Sequence, residues 1–305
     1  MVIRPVHTLD EYRACVDLQE EVWGKGFSQR VPTAILQVSQ RLGGIVSGAW
    51  NSEGVLVGFV FGMTGWEAGR PVHWSDMLAV HPEHRNGGLG RRLKLHQRDE
   101  LLRLGVTRMY WTFDPLESRN AHLNLARLGA TAGEYVRDMY GTSSSPLHRG
   151  IGTDRFVAVW EMDSPRVRRR LGAPVDGGEP PAARGGVEEV VGVDEGGVVG
   201  GADVLDEADG IAGAGPVLDG IPRAGGQIAG GLPQPGDMVL GRDDRFLTVT
   251  IPASIQDVLR RDPELALRWR ARTRAALEHY LGRGWVAVGL HREGDLSRYV
   301  LARDP

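Results

Sequence analysis

The chain has 305 residues, a formal net charge of −3 and an ordinary apolar fraction, which allows two domains or one large elaborated one and gives no global reason to expect nucleic acid or an acidic membrane as partner. The single cysteine, Cys15, excludes an intrachain disulfide framework and a cysteine-rich zinc site and fits a reducing compartment, with cytoplasm as the default. No charged leader with a long apolar stretch opens the chain and no segment approaches the roughly 18 apolar residues of a spanning helix, so a soluble, unprocessed protein is expected.

Thr8-Leu-Asp-Glu11 has capping-box spacing, and Tyr12, Val16, Gln19 and Trp23 follow at helical intervals, which predicts a helix over about Leu9 to Trp23. "GGIVSGAW" and "GVLVGFVFGMTG" read as antiparallel strands joined at Asn51-Ser-Glu-Gly54. "PVHWSDMLAV" reads as a strand ending near Val80, and "RRLKLHQRDELLRLG" as a helix stopped by Gly105. "VTRMYWTF" follows as a strand. Asp114-Pro115 supplies an N-cap and a proline at the first helical position, predicting a helix through "LESRNAHLNLARLG" to Gly129. Strands near Tyr135 to Met139 and at "DRFVAVWEM" complete a mixed α/β unit.

From about Ala173 to Gly236 the chain is dense in glycine, proline pairs and short valine runs, and partial order is expected because a structureless loop of that length is unusual inside a compact domain. Beyond it, "RFLTVTIPAS" reads as a strand, Asp262-Pro263 as a second N-cap and first turn, "ELALRWRARTRAALEHYLGRG" as a long helix, and "WVAVGLHR" with "SRYVLAR" as a closing hairpin. Arg268, Arg270, Arg272 and Arg274 alternate around that helix, so most should face solvent, with one or two available to a carboxylate on the acyl group or acceptor. The expected division is 1–165, a Gly/Pro-rich connection over 166–240, and a strand-helix-hairpin region over 241–305.

"HPEHRNGGLGRRLK", His81 to Lys94, places three glycines between a strand and a helix, where each would weaken a helix interior by roughly 1 kcal/mol relative to alanine. A strand-to-helix turn of this kind points several backbone N–H groups and the positive end of the helix dipole at one anion, and glycines let the backbone approach phosphate oxygens. The glycine pattern alone is equally compatible with a plain turn. It is neither a P-loop, which ends in Lys-Ser/Thr, nor G-x-G-x-x-G.

With its lead-in "MLAVHPEHR", the run Arg85-Asn86-Gly87-Gly88-Leu89-Gly90 resembles the R/Q-x-x-G-x-G/A pyrophosphate loop of the GNAT superfamily of acyl-CoA-dependent N-acyltransferases. The order of elements over about residues 3 to 163 is similar too, and "SRNAHLNLARLGA" resembles the second helix of that fold's cofactor half. More narrowly, "WTFDPLESRNAHLNLARLGA" with "PELALRWRARTR" resembles a longer predicted-acetyltransferase subfamily, one branch of which is associated with N-acylamino-acid metabolism. The resemblance implies an α+β fold with a mixed, mostly antiparallel twisted sheet flanked by helices, here with an additional C-terminal α/β region. It further implies an acyl-CoA lying between splayed parallel strands that end near Val80 and Phe113. Main-chain groups of Leu78 and Val80 would bond the pantetheine arm, and N–H groups from Arg85, Asn86, Gly87, Gly88, Leu89 and Gly90, with Arg91, would take the pyrophosphate.

Direct transfer from the thioester needs a neutral amine, a polarised carbonyl and a proton source for the thiolate. Asp76 is the candidate base; strand alternation puts it on one face with Trp74, Leu78 and Val80, and a structural role is the competing reading. The superfamily's usual thiolate acid is a tyrosine whose position corresponds here to Leu125, so that role does not carry over. Asn120 and Asn124, one helical turn apart, are candidates to touch the pantetheine or thioester, Asn120 also as a catalytic contact. Tyr135 and Tyr140 are weaker acid candidates, and His73 and His122 read as structural. Trp23, Phe27 and Trp66 are candidate walls of the acceptor pocket, against simple packing. With no HExxH or cysteine cluster, no metal is expected.

The leading function is therefore acetyl or succinyl transfer from acetyl-CoA or succinyl-CoA to a small-molecule amine, an amino acid above all, with a protein lysine as a compatible acceptor. One cofactor site is expected, with the C-terminal region as scaffold, lid or homodimer surface; the alternatives are a non-catalytic acyl-CoA-binding module and a tandem arrangement in which the C-terminal region forms a degenerate second half. Neither nucleic acid nor membrane is an expected partner.

Overall fold

The computed structural model describes residues 1–141, 150–172, 215–221 and 231–303. Among them twelve strands form one sheet: β1 (Val2–Pro5), β2 (Ile45–Trp50), β3 (Leu56–Glu67), β4 (Arg70–Val80), β5 (Arg108–Phe113), β6 (Thr131–Val136), β7 (Arg155–Glu161), β8 (Gly215–Ile221), β9 (Gln234–Met238), β10 (Phe246–Pro252), β11 (Trp285–Glu293) and β12 (Leu296–Arg303). Their order is β1-β2-β3-β4-β5-β7-β6-β11-β12-β10-β8-β9. Only β4–β5 and β8–β10 pair in parallel. The sheet is thus mixed and mostly antiparallel, flanked by helices.

The first helix, α1 (Leu9–Trp23), begins at a complete capping box in which Thr8 accepts from the Glu11 N–H while the Glu11 carboxylate accepts from the Thr8 N–H. Gln19 on its buried face bonds both main-chain groups of Val31, which pins the ends of the 24–31 loop to the helix. A second helix, α2 (Thr33–Arg41), and the edge strand β1 were not legible beforehand. The cap of α2 is Pro32, which offers no side-chain acceptor, and β1 has only four residues.

After α3 (Leu89–Arg103) and β5, the predicted helix to Gly129 is corrected. Asp114 caps a turn by accepting from the Leu116 N–H at 2.8 Å, helix α4 (Ser118–Ala121) follows, and the chain then widens into a π turn over His122–Arg127, closed by Leu128 N–H donating to the Leu123 carbonyl. β6 ends at Val136, three residues before the expected limit. The short helix α5 (Pro165–Arg170) follows β7. The partial order expected over 173–236 concerns residues that lie mostly outside those described, apart from β8 and β9.

In the C-terminal region α6 (Ile255–Arg261) and α7 (Pro263–Leu281) pack on the sheet, and Asp262 caps α7 by accepting from the Leu265 N–H at 2.9 Å. This region continues the N-terminal core: Trp111, Phe113, Leu125 and Trp160 share one buried cluster with Trp269, Tyr280, Tyr299 and Leu301. Polar contacts reinforce the join exactly where α4 is carried. Tyr299 donates to the Pro115 carbonyl at 2.7 Å, Ser118 and Ser297 hydroxyls meet at 2.7 Å, and His122 lies 3.3 Å from the Leu290 carbonyl.

The arginine series of α7 also needs correction. Arg268 and Arg272 are exposed, but Arg270 is buried, with Nη2 donating to Asp114 at 2.6 Å and Nε to the Ile151 carbonyl at 2.9 Å. Arg274 pairs with Asp154 at 2.6 Å.

Candidate functional site

Strands β4 and β5 pair only at His73–Met109 and Trp74–Tyr110. Beyond those residues they separate, leaving a fork that opens toward Val80 and Phe113. On its other edge β4 pairs with β3, where Phe61 opposes Met77 and Gly62 opposes Ser75, so Asp76 is the extra residue of a β-bulge. The bulge corrects the expected alternation. His73 and Ser75 bond Gln97 of α3, and Leu78 and Val80 pack with Leu89 and Leu93 of the same helix, whereas Met77 and Ala79 pack into the α1/α2 core. Ser75 and Leu78 thus face α3 although three apart, and Asp76 is released from the face of Leu78 and Val80. Gly62 makes the close approach possible, since a Cβ there would sit 2.2 Å from His73 Nε2.

At the open end of the fork, a single 3-10 turn (Pro82–His84) leads into the glycine segment. Arg85 folds back, its Nε donating to the Val80 carbonyl at 3.2 Å. Asn86 at φ 67° and Gly88 at φ 73°, ψ 4° take left-handed conformations, and Gly88 is the N-cap of α3 with no side chain capping the helix. A Cβ on Gly87 or Gly88 would meet nothing within 4 Å, whereas one on Gly90 would lie 3.5 Å from Leu78. Leu89 and Leu93 are buried and hold the helix start against the sheet. Arg91 Nε is buried with no hydrogen-bond partner, and burial, followed by the nearby Arg127 guanidinium, pushes the Arg91 pKa below the usual arginine range. Uncapped N–H groups, a helix dipole, an open glycine surface and two adjacent guanidiniums together fit a phosphate-bearing ligand.

Asn120 is exposed at the end of α4, and buried Asn124 donates to it at 3.3 Å, so the two amides do form one face. Leu125 is fully buried in the shared core. Asp76 is solvent-accessible, yet partial desolvation raises its carboxyl pKa, opposed by the Trp74 side chain. Trp23 stacks on Phe27 with ring centroids 5.4 Å apart, against the α1/α2 core. Trp66 stands apart, 76% exposed near the tip of the β3–β4 hairpin opposite Pro71. Of the two tyrosines, Tyr135 donates to the Asp154 carboxylate, and burial raises its pKa. Tyr140 meets the Thr112 hydroxyl at 2.8 Å and lies under the Arg155 guanidinium.

Sequence reasoning missed the polar line at the closed end of the fork. Lys94, 5% exposed, donates to Ser75 Oγ at 2.7 Å and lies 4.1 Å from the Trp111 ring centroid. Ser75 donates to Gln97 Oε1 at 2.8 Å, Gln97 Nε2 meets His73 Nε2 at 3.0 Å, and His73 Nδ1 meets Thr64 at 3.0 Å, whose hydroxyl donates to the Gly43 carbonyl at 2.7 Å. Donors and acceptors match in one direction if His73 is neutral with its proton on Nδ1. Burial, then Lys94, holds the His73 pKa down at about 3.

Burial alone lowers the Lys94 pKa to about 7. An unfolded lysine keeps its proton to about pH 10.4, so the unfolded chain binds more protons in between and stability rises with pH across that window. Lys94→Met, which removes the buried charge, is therefore expected to raise Tm near pH 6, with the gain shrinking toward pH 10. A loss of Tm at pH 6 would contradict this.

A splayed parallel pair, a bulged strand and an uncapped glycine turn at the mouth of the fork are set in a mixed, mostly antiparallel sheet flanked by helices, the architecture of the GNAT fold. Residues 12–130 match the acetyltransferase (GNAT) family. No curated protein matched the chain. Similar solved structures include the ribosomal-protein-S18-alanine N-acetyltransferase of Escherichia coli, at 17% identity and TM-score 0.43, covering 53% of this chain and 93% of that one. Another is a GNAT superfamily phosphinothricin acetyltransferase from Sinorhizobium meliloti in complex with acetyl-CoA, at 16% identity and TM-score 0.43, covering 52% and 86%. No helix among the described residues is long and apolar enough to cross a membrane.

Proposed function

We propose that the protein transfers an acetyl or succinyl group from acyl-CoA to the amine of a small molecule, an amino acid being the favoured acceptor class. The observation that carries this is the uncapped, glycine-lined N-terminus of α3 at the mouth of the β4–β5 fork. The pyrophosphate is assigned to the N–H groups of Arg85 through Gly90 with Arg91, and the pantetheine arm to the β4 edge at Leu78 and Val80 that β5 leaves unpaired, with Asn120 and Asn124 as its further proposed contacts. Trp23 and Phe27 remain the candidate acceptor wall. Trp66 would reach an acceptor only by extending past the hairpin.

Asp76 is the assigned base, at a bulge beside the point where the strands part. A base works deprotonated, so its raised pKa places the acid limb of the rate profile above the ordinary aspartate range, with rate rising as pH rises through it. Asp76→Asn should lower kcat about 100-fold and erase that limb. An unchanged limb would leave Asp76 a structural residue.

The reading is tested by thiol release from acetyl-CoA and from succinyl-CoA against D- and L-amino acids and polyamines. Amine-dependent release identifies donor and acceptor class together. CoA binding in a thermal-shift assay without release from any combination would instead favour the binding module that buried Leu125 keeps in view.

A further inference from the structure

Of the 36 basic residues in the chain, only Lys25 and Lys94 are lysines. Arginine stays protonated at any physiological pH, whereas a buried lysine can give up its proton and recover it. Lys25 lies exposed in the loop after α1. Lys94 lies at the closed end of the fork, where its ammonium touches the first residue of each strand beyond the last β4–β5 pair: Ser75 of β4 at 2.7 Å and, on β5, the Trp111 ring at 4.1 Å.

Its surroundings leave it without a counter-charge. From β4 come Ser75 and His73, the latter neutral; from β5, Met109, whose sulfur is 3.8 Å away, and Trp111; from α3, Gln97 and, one turn earlier, Arg91. No carboxylate pairs with Lys94 among the described residues. The Ser75–Gln97–His73–Thr64 line accepts one Lys94 proton and leads away from the fork to the Gly43 carbonyl, so it holds the amine in place without neutralising it. Trp111 also belongs to the core that contains Leu125.

On the acyltransferase reading proposed above, the geometry points to Lys94 as the proton donor to the departing CoA thiolate, the role for which Leu125 has no chemistry. The acceptor nitrogen forms a bond to the acyl carbon, the carbon–sulfur bond breaks with its electron pair remaining on sulfur, and a proton passes from the Lys94 ammonium to that sulfur. The proton lost by the acceptor amine goes to Asp76 or water, and Lys94 is reprotonated from solvent after the products leave. Burial supports the assignment by bringing the Lys94 pKa to about 7, where proton release is facile.

The first test is direct titration of wild-type protein carrying isotope-labelled lysine, in which two side-chain NMR signals report Lys25 and Lys94. The Lys94 titration should shift on binding CoA but not on binding desulfo-CoA, which lacks only the thiol. Equal titrations in the two complexes would overturn the Lys94 assignment while leaving the acyl-CoA reading intact, and a thermal shift with neither ligand would overturn both. The second test is kinetic. Lys94→Met should lower kcat about 100-fold, keep CoA affinity within about threefold, and lose the alkaline fall in rate centred near pH 7. Full kcat or a retained alkaline limb in that variant would overturn the proposal.

Discussion

Gly88→Val is expected to weaken CoA binding at least about 100-fold while lowering stability by no more than about 2 kcal/mol. At φ 73° a β-branched residue is strained by about 1–2 kcal/mol. The backbone has a local escape, because a Cβ at this position meets no neighbour and can shift without pushing on a packed group. That escape turns the N–H groups away from the ligand. Two charge-assisted hydrogen bonds at about 1.5 kcal/mol each come to about 3 kcal/mol, or roughly 100-fold in Kd. Calorimetry with CoA alongside a denaturant titration separates the two effects. Equal losses in binding and stability would make the glycine turn a structural element only.

The second large effect lies away from the fork. Asp114→Ala strips the buried Arg270 of a carboxylate bonded at 2.6 Å, removes a charge 3.8 Å from Arg155, and deletes the acceptor for the Leu116 N–H. Breaking one partner of a buried pair costs about 3–5 kcal/mol because the remaining charge stays desolvated. In a chain of this size that corresponds to a fall in Tm of roughly 10 °C. The paired replacement Asp114→Leu with Arg270→Leu should recover part of it, since Arg270 is then no longer stranded while Arg155 still loses the carboxylate 3.8 Å away. A loss below about 1 kcal/mol for the single variant, measured by urea unfolding, would show that the pair is solvated. The consequence reaches function through position: Asp114 directly follows β5, and Arg270 belongs to α7, so this bond ties the C-terminal region to one arm of the fork.

The parts of the fold readable beforehand are those written locally. Thr8 with Glu11, Asp262 with Pro263, and Asn51 through Gly54 each carry their own backbone partners within a few residues, so spacing alone reveals them. The glycine turn was legible for the same reason, since left-handed conformations at Asn86 and Gly88 depend on residue type. What stayed hidden depends on pairing between distant segments. The bulge at Asp76 exists because of how β4 registers on Gly62, and no alternation rule applied to β4 alone would place it. Lys94 and Arg270 follow patterns that read as solvated helix faces, and only the packing of α3 across the fork and of α7 across Asp114 buries them. A lysine in an otherwise arginine-rich chain was the one available signal for the first; for Arg270 there was none.

The most direct measurement is a crystal structure of the protein with acetyl-CoA. The pyrophosphate should lie on the N–H groups between Arg85 and Arg91, and the thioester should lie inside the β4–β5 fork, between the Asp76 bulge and Lys94. Acetyl-CoA bound elsewhere, with the fork filled by side chains, would contradict the assignment of this site.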